Sequence, residues 1–171
     1  IPKKSFVYCS FNNNYKISPT IFQGWMRILK AVNNSVILIY VENIWAKENL
    51  KKEAQNLNVD VNRLFFLERV ERSKYLARFR LADLFLDTTP YNAGTTASDA
   101  LWSGLPLLTC MGKTFSSRMA ASILNAAELN EMVTSNQSEY EKMAIKLGKN
   151  KDFYLKIKNK LNKNLKLKPL F

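Results

Sequence analysis

The stretch ADLFLDTTPYNAGTTASDALWSG, Ala82 to Gly104, passes from an apolar run through a polar loop into a helical pattern. ADLFLDT, residues 82–88, has the length and continuous apolarity of a strand covered on both faces, and residues 96–102 then take helical spacing. Strand, glycine-containing loop and helix make the repeating unit of a parallel sheet with helical crossovers. The loop is more polar than a connection requires. Thr96-Ala97-Ser98-Asp99 has the form of a capping box, in which Thr96 caps the helix and Asp99 reaches back to its backbone N–H. The same residues fit a second use. Gly94 allows close approach of a ligand, Thr95 and Thr96 offer hydroxyls, and a helix start attracts phosphate oxygens. A carboxylate repels a diphosphate in a low-dielectric cleft, so in that second use Asp99 faces neutral donors such as ribose hydroxyls.

Outward from this unit the alternation continues. SFVYCSF (5–11), SVILIYV (35–41) and RLFFLERV (63–70) read as strands, with helical patterns over 19–32, 46–57 and 73–81. Beyond it come a strand, LPLLTCM (105–111), a helix, FSSRMAASILNAA (115–127), and two further helices from Gln137 onward. The fold class is α/β, a doubly wound parallel sheet with right-handed crossovers. Ligands of such sheets sit outside the carboxyl ends of the strands, which selects the loops FNNNYK, ERVERSKYLAR and TTPYNAGTTASD. Lys16, in the first, lies on the same rim as Thr95, where an ammonium neutralises charge on a departing diphosphate. Arg72 and Arg78, in the second, are candidates to serve a nucleotide.

The bulk properties bound the function. With 171 residues, 47% hydrophobic and 12% aromatic, the chain is long enough for one substantial core. No apolar run approaches the roughly 18 residues of a membrane span, so no membrane partner is expected. The chain starts at Ile1 without an initiator Met or a signal pattern, so a cut inside a longer protein is expected. Cys9 and Cys110 sit in apolar strands, which suits buried thiols and a reducing, cytoplasmic setting. With no histidine in the chain, the commonest general base and metal ligand are missing. There is no Asp-x-Asp pair to hold a metal against a diphosphate, so no metal is expected. Gly112-Lys113-Thr114 fails as a phosphate loop because position 107 is Leu, not Gly.

Most of the net charge of +12 belongs to residues 142–171, where ten lysines face the single acid Asp152. This divides the chain into a Rossmann-like unit, residues 1–149, and a lysine-rich helical segment, residues 150–171. The segment lacks an aromatic stacking set, so it reads as a solvated face and not as a nucleic-acid site.

Three strings, YCSFNNNYKISP (8–19), SKYLARFRLADLFLDTTPYNAGTTASDALWSGLPLLT (73–109) and GKTFSSRMAASIL (112–124), resemble in order the C-terminal catalytic half of the O-GlcNAc transferase and SPINDLY family. The resemblance runs over residues 6–148 and resumes at KPLF, residues 168–171. It implies a GT-B glycosyltransferase, two Rossmann-like halves facing each other, of which this chain is the half that binds the nucleotide sugar. The N-terminal catalytic half and helical repeats would be further parts of the same protein, and relatives continue past the position of Phe171 into a final helix.

The implied activity is inverting, metal-independent transfer of GlcNAc from UDP-GlcNAc to Ser or Thr hydroxyls of an acceptor protein, without a cofactor. Residue by residue, Lys16 matches the lysine that contacts the diphosphate, and Asn13 stands near the same phosphates. Val70 to Arg72 match the segment that holds the base, with Arg72 replacing a lysine. Thr95 and Thr96 match the phosphate-binding threonines, and Asp99 the ribose-binding aspartate. Tyr75 and Gly94 each stand where relatives have a histidine, which leaves the base and the donor open. Two alternatives remain at this point: another donor such as GDP-fucose, as in the SPINDLY branch, or a non-catalytic nucleotide-binding or scaffolding domain.

Overall fold

The computed structural model describes residue 2, residues 4–165 and residue 167. Six strands, β1 (Phe6–Ser10), β2 (Ser35–Tyr40), β3 (Leu64–Leu67), β4 (Leu84–Leu86), β5 (Leu107–Cys110) and β6 (Val133–Thr134), form one sheet in the order β3-β2-β1-β4-β5-β6. Every neighbouring pair is parallel. The chain therefore builds outward from β1 to β3, returns beside β1 as β4, and builds the other way. The reversal between β1 and β4 opens a crevice at their carboxyl ends, where ligands of such sheets bind.

Among the described residues, five α-helices connect the strands, α1 (Pro19–Ala31), α2 (Ile44–Asn56), α3 (Arg72–Arg78), α4 (Thr95–Trp102) and α5 (Met119–Ala126), and two more, α6 (Gln137–Lys149) and α7 (Lys151–Asn164), follow β6. The strands are mostly apolar because helices cover both faces; Leu84, Phe85 and Leu86 of β4 are all buried. Helix starts follow local chemistry. The Ser18 hydroxyl accepts from Ile21 N at 3.3 Å with Pro19 as the first helical residue. The Asn43 side chain accepts from Trp45 N and Ala46 N, which starts α2 at Ile44, two residues before the expected Ala46.

Three local expectations are corrected. The third strand spans only Leu64–Leu67, because residues 61–63 close a 3-10 turn whose Arg63 guanidinium donates to the carbonyls of Leu29, Val32 and Ser35. The helix expected from Phe115 begins as a 3-10 turn, Phe115–Ser117, closed by reciprocal bonds between Thr114 and Ser117, and α5 itself starts at Met119. The two-residue β6, too short to carry a periodic signal, was not expected.

Among the lysine-rich residues, α7 buries Tyr154, Ile157 and Leu161 in the core, and Asn164 Nδ2 donates to Ala127 O at 2.8 Å. A buried chain of bonds crosses the molecule: Trp25 Nε1 of α1 donates to the Tyr140 hydroxyl of α6, which donates to Asp87 O at the end of β4. This anchors the strand end that leads into the site. The KPLF similarity lies outside the described residues. Among the described residues no helix is long and apolar enough to cross a membrane.

Candidate functional site

The carboxyl ends of β1, β3 and β4 bring the three selected loops to one rim. After β1, a 3-10 turn over Asn14–Lys16 aims the Lys16 side chain at the β4–α4 loop. There its Nζ donates to Asn92 O at 3.1 Å and lies 3.8 Å from the centre of the Tyr91 ring. Partial burial lowers the Lys16 ammonium from its ordinary pKa, and the negative ends of Tyr15 and Asp87 offset part of that.

The capping-box reading of Thr96 to Asp99 is overturned. Helix α4 starts one residue earlier, at Thr95, with Gly94 as its N-cap and no side-chain cap. The amides of Thr95 and Thr96 are in the first turn, where no carbonyl one turn back can take them. Thr95 is exposed and Thr96 half-buried. Asp99, instead of reaching back along its own helix, accepts two bonds from the Arg72 guanidinium, at 2.7 and 2.9 Å. The pair is asymmetric in exposure: 63% of the Arg72 side chain is accessible against 12% of Asp99, so the arginine is the lid and the carboxylate the floor.

A cleft of about 500 Å³ opens beside this pair. Six of the expected residues line it, Asn13, Val70, Arg72, Tyr75, Arg78 and Thr96, together with Phe11, Tyr40, Glu42 and Arg69. Tyr75 packs edge-on against Phe79 and carries Arg72 over its ring at 5.3 Å. Burial, then the nearby Asp99 carboxylate, pushes the Tyr75 phenol well above its ordinary range, so it acts as a neutral donor. Arg78 donates to Glu68 O and so also braces the loop after β3. Lys16, Gly94, Thr95 and Asp99 lie outside the cleft lining; Asp99 joins it only through Arg72.

A Cβ at Gly94 would come to 2.5 Å from Met119 Cε, the free end of a flexible side chain that has to turn aside to admit it. Sequence reasoning missed the polar group beneath the site. Asp87, fully buried, accepts from Thr88 N, Ala93 N, Asn12 Nδ2 and Thr109 Oγ1. Its signal was an acid closing an apolar run in LFLD. Among the described residues no group of three His, Cys, Asp or Glu side chains could hold a metal ion.

The chain is similar to known proteins in sequence and in fold. The chain is 31% identical over 161 residues to the UDP-N-acetylglucosamine-peptide N-acetylglucosaminyltransferase of Caenorhabditis elegans, covering 94% of this chain and 14% of that protein. It superposes on a Thermobaculum terrenum O-GlcNAc transferase mutant with a TM-score of 0.90 and 27% identity, over 97% of this chain and 34% of that one. The C-terminal domain of a group 1 family glycosyl transferase from Francisella tularensis shares the fold, with a TM-score of 0.71 at 11% identity, over 94% of this chain and 84% of that one. The chain thus spans a small fraction of its full-length relatives. The profile of glycosyl transferase family 41 matches residues 1–171, and the chain belongs to that family.

Proposed function

We propose that the chain is the nucleotide-sugar-binding half of an inverting, metal-independent protein O-GlcNAc transferase that moves GlcNAc from UDP-GlcNAc to Ser or Thr hydroxyls. The observation that carries the proposal is the convergence of Lys16 and the uncapped start of α4 on one rim, beside a cleft whose Arg72 wall is paired to the Asp99 carboxylate. In this reading the base and ribose enter the cleft between the Val70–Arg72 segment, Tyr75 and Asn13. Asp99 keeps lone pairs for ribose hydroxyls, since Arg72 uses only one donor on each oxygen. The diphosphate meets the hydroxyls and amides of Thr95 and Thr96, where the helix start favours negative charge.

The acceptor oxygen attacks the anomeric carbon from the face opposite the diphosphate, the bond to the diphosphate oxygen breaks, and the acceptor hydroxyl's proton passes to the departing diphosphate or to solvent. Lys16 and the α4 amides receive the charge that develops on the leaving group, a role electrostatics can fill without a metal. Acceptor contacts and the opposite wall of the cleft belong to the N-terminal half of the protein, with helical repeats before it. The buried, unpaired Cys9 and Cys110 support a cytoplasmic setting.

Calorimetric titration of the complete protein with UDP and GDP, followed by a transfer assay with UDP-GlcNAc and an acceptor protein, tests the proposal. Tighter binding of UDP and transfer of GlcNAc are expected. Preference for GDP would assign a different donor, and binding of neither would leave a non-catalytic scaffold.

A further inference from the structure

We infer that Asp87 is a positioning residue for Lys16: its carboxylate fixes the β4–α4 loop whose Asn92 carbonyl and Tyr91 ring hold the ammonium. The inference rests on the role proposed for Lys16 and adds a residue outside the set that touches substrate.

The geometry is that of a clasp. One carboxylate oxygen, Oδ1, accepts from Thr88 N at 2.8 Å and from Ala93 N at 2.7 Å, so a single atom binds both ends of the loop. The same oxygen accepts from Asn12 Nδ2 at 3.1 Å, which ties in the end of β1 just before the Lys16 turn. The other oxygen accepts from Thr109 Oγ1 of β5 at 2.6 Å. Inside the closed loop, Thr88 Oγ1 donates to Tyr91 O at 2.7 Å and Asn92 Nδ2 donates to Thr88 O at 2.8 Å. With these bonds made, Asn92 O and the Tyr91 ring are presented to Lys16, while Thr89 O accepts from the Ser18 hydroxyl at the start of α1.

Packing alone does not account for this arrangement. Asp87 is 1% exposed and has no ion-pair partner within bonding distance among the described residues, and an apolar or amide residue of the same shape would avoid the cost of burying a charge. Four donors keep the carboxylate usable as an anion near neutrality, although burial lifts its pKa to about 6. The titratable groups that feel it are Lys16 from the turn after β1, Cys110 from β5 and Tyr140 from α6; of these only Lys16 is a cation. The buried negative charge therefore favours the protonated Lys16 that a departing diphosphate requires.

The test uses the complete protein and compares Asp87→Asn, Lys16→Ala and the double variant in steady-state transfer. For Asp87→Asn the expected result is a loss in kcat of about ten- to a hundredfold, the scale of a displaced catalytic group, with donor KM changed by less than about threefold. In the Lys16→Ala background the same substitution should cost less than about twofold, because the group it positions is gone. Thr109→Val, which removes one donor to the carboxylate, should move the acid limb of the kcat profile to higher pH. Thr109→Val carries the inference if Asp87→Asn does not fold.

An unchanged kcat in Asp87→Asn, an undiminished loss in the Lys16→Ala background, or an acid limb unmoved by Thr109→Val would each overturn the inference. Near-normal turnover of Lys16→Ala itself would refute the reading of Lys16 on which it rests.

Discussion

Arg72 and Asp99, 27 residues apart on different helices, meet in a two-pronged ion pair at 2.7 and 2.9 Å. The pair answers an electrostatic objection to a carboxylate beside a diphosphate site: Asp99 is neutralised from above while its remaining lone pairs stay available. Arg72→Ala is expected to weaken UDP binding by about two- to fivefold, the scale of a solvent-screened pair, and to leave uridine binding nearly unchanged. In an Asp99→Asn background the phosphate-specific loss should disappear. Calorimetry with UDP and uridine on the four proteins measures both effects; equal losses for the two ligands would show that Arg72 acts on the nucleoside instead.

Lys16 is held at the rim by a carbonyl and a ring face, neither of which neutralises it. Its replacement should therefore remove charge stabilisation in the transition state more than ground-state binding. Lys16→Ala is expected to lower kcat by about a hundredfold or more with a smaller change in donor KM. Initial-rate kinetics on the complete protein provide the check.

Asp87 also makes stability depend on pH. Its pKa is raised from 3.8 to about 6 by burial, so between these values the folded chain binds more protons than the unfolded one. The contribution of Asp87 to stability is thus full below about pH 4 and falls as pH rises through 6, by on the order of 3 kcal/mol. Denaturant titrations from pH 4 to 7.5 should show wild type losing ground against Asp87→Asn across that window. A constant difference would refute the shift.

Helix α7 looks in composition like a solvated tail, yet Leu161 is fully buried in it. Leu161→Ala should cost about 2–5 kcal/mol, as other buried leucines do, while Lys156→Ala on the exposed face should stay within about 0.5 kcal/mol. Urea unfolding of the two variants distinguishes a docked helix from a loose one.

The alternation of apolar runs and helical patterns made the fold class legible, because a parallel sheet covered on both faces imposes continuous apolarity on its strands. Short elements were not legible: β6 has two residues, fewer than any periodicity needs. Among site residues, Lys16, Arg72, Arg78 and Thr96 could be read as loop chemistry at strand ends, whereas Val70 and Tyr75 came from the family resemblance alone; of these six the cleft lining gathers all but Lys16. The capping box failed for a reason no local window contains. Asp99 had a choice between its own backbone and a guanidinium, and the guanidinium came from a helix far away in sequence. Asp87 was missed because a buried acid looks, in sequence, like the polar edge of a strand; only the folded loop shows four donors converging on it.

The terminal methyl of Met119 rests where a side chain at Gly94 would begin, so the room for a residue at position 94 is set by how the free end of that one flexible side chain is turned. Grafting a histidine at position 94 into this chain therefore requires Met119 to swing aside or to be shortened, and Gly94→His combined with Met119→Ala provides that space directly.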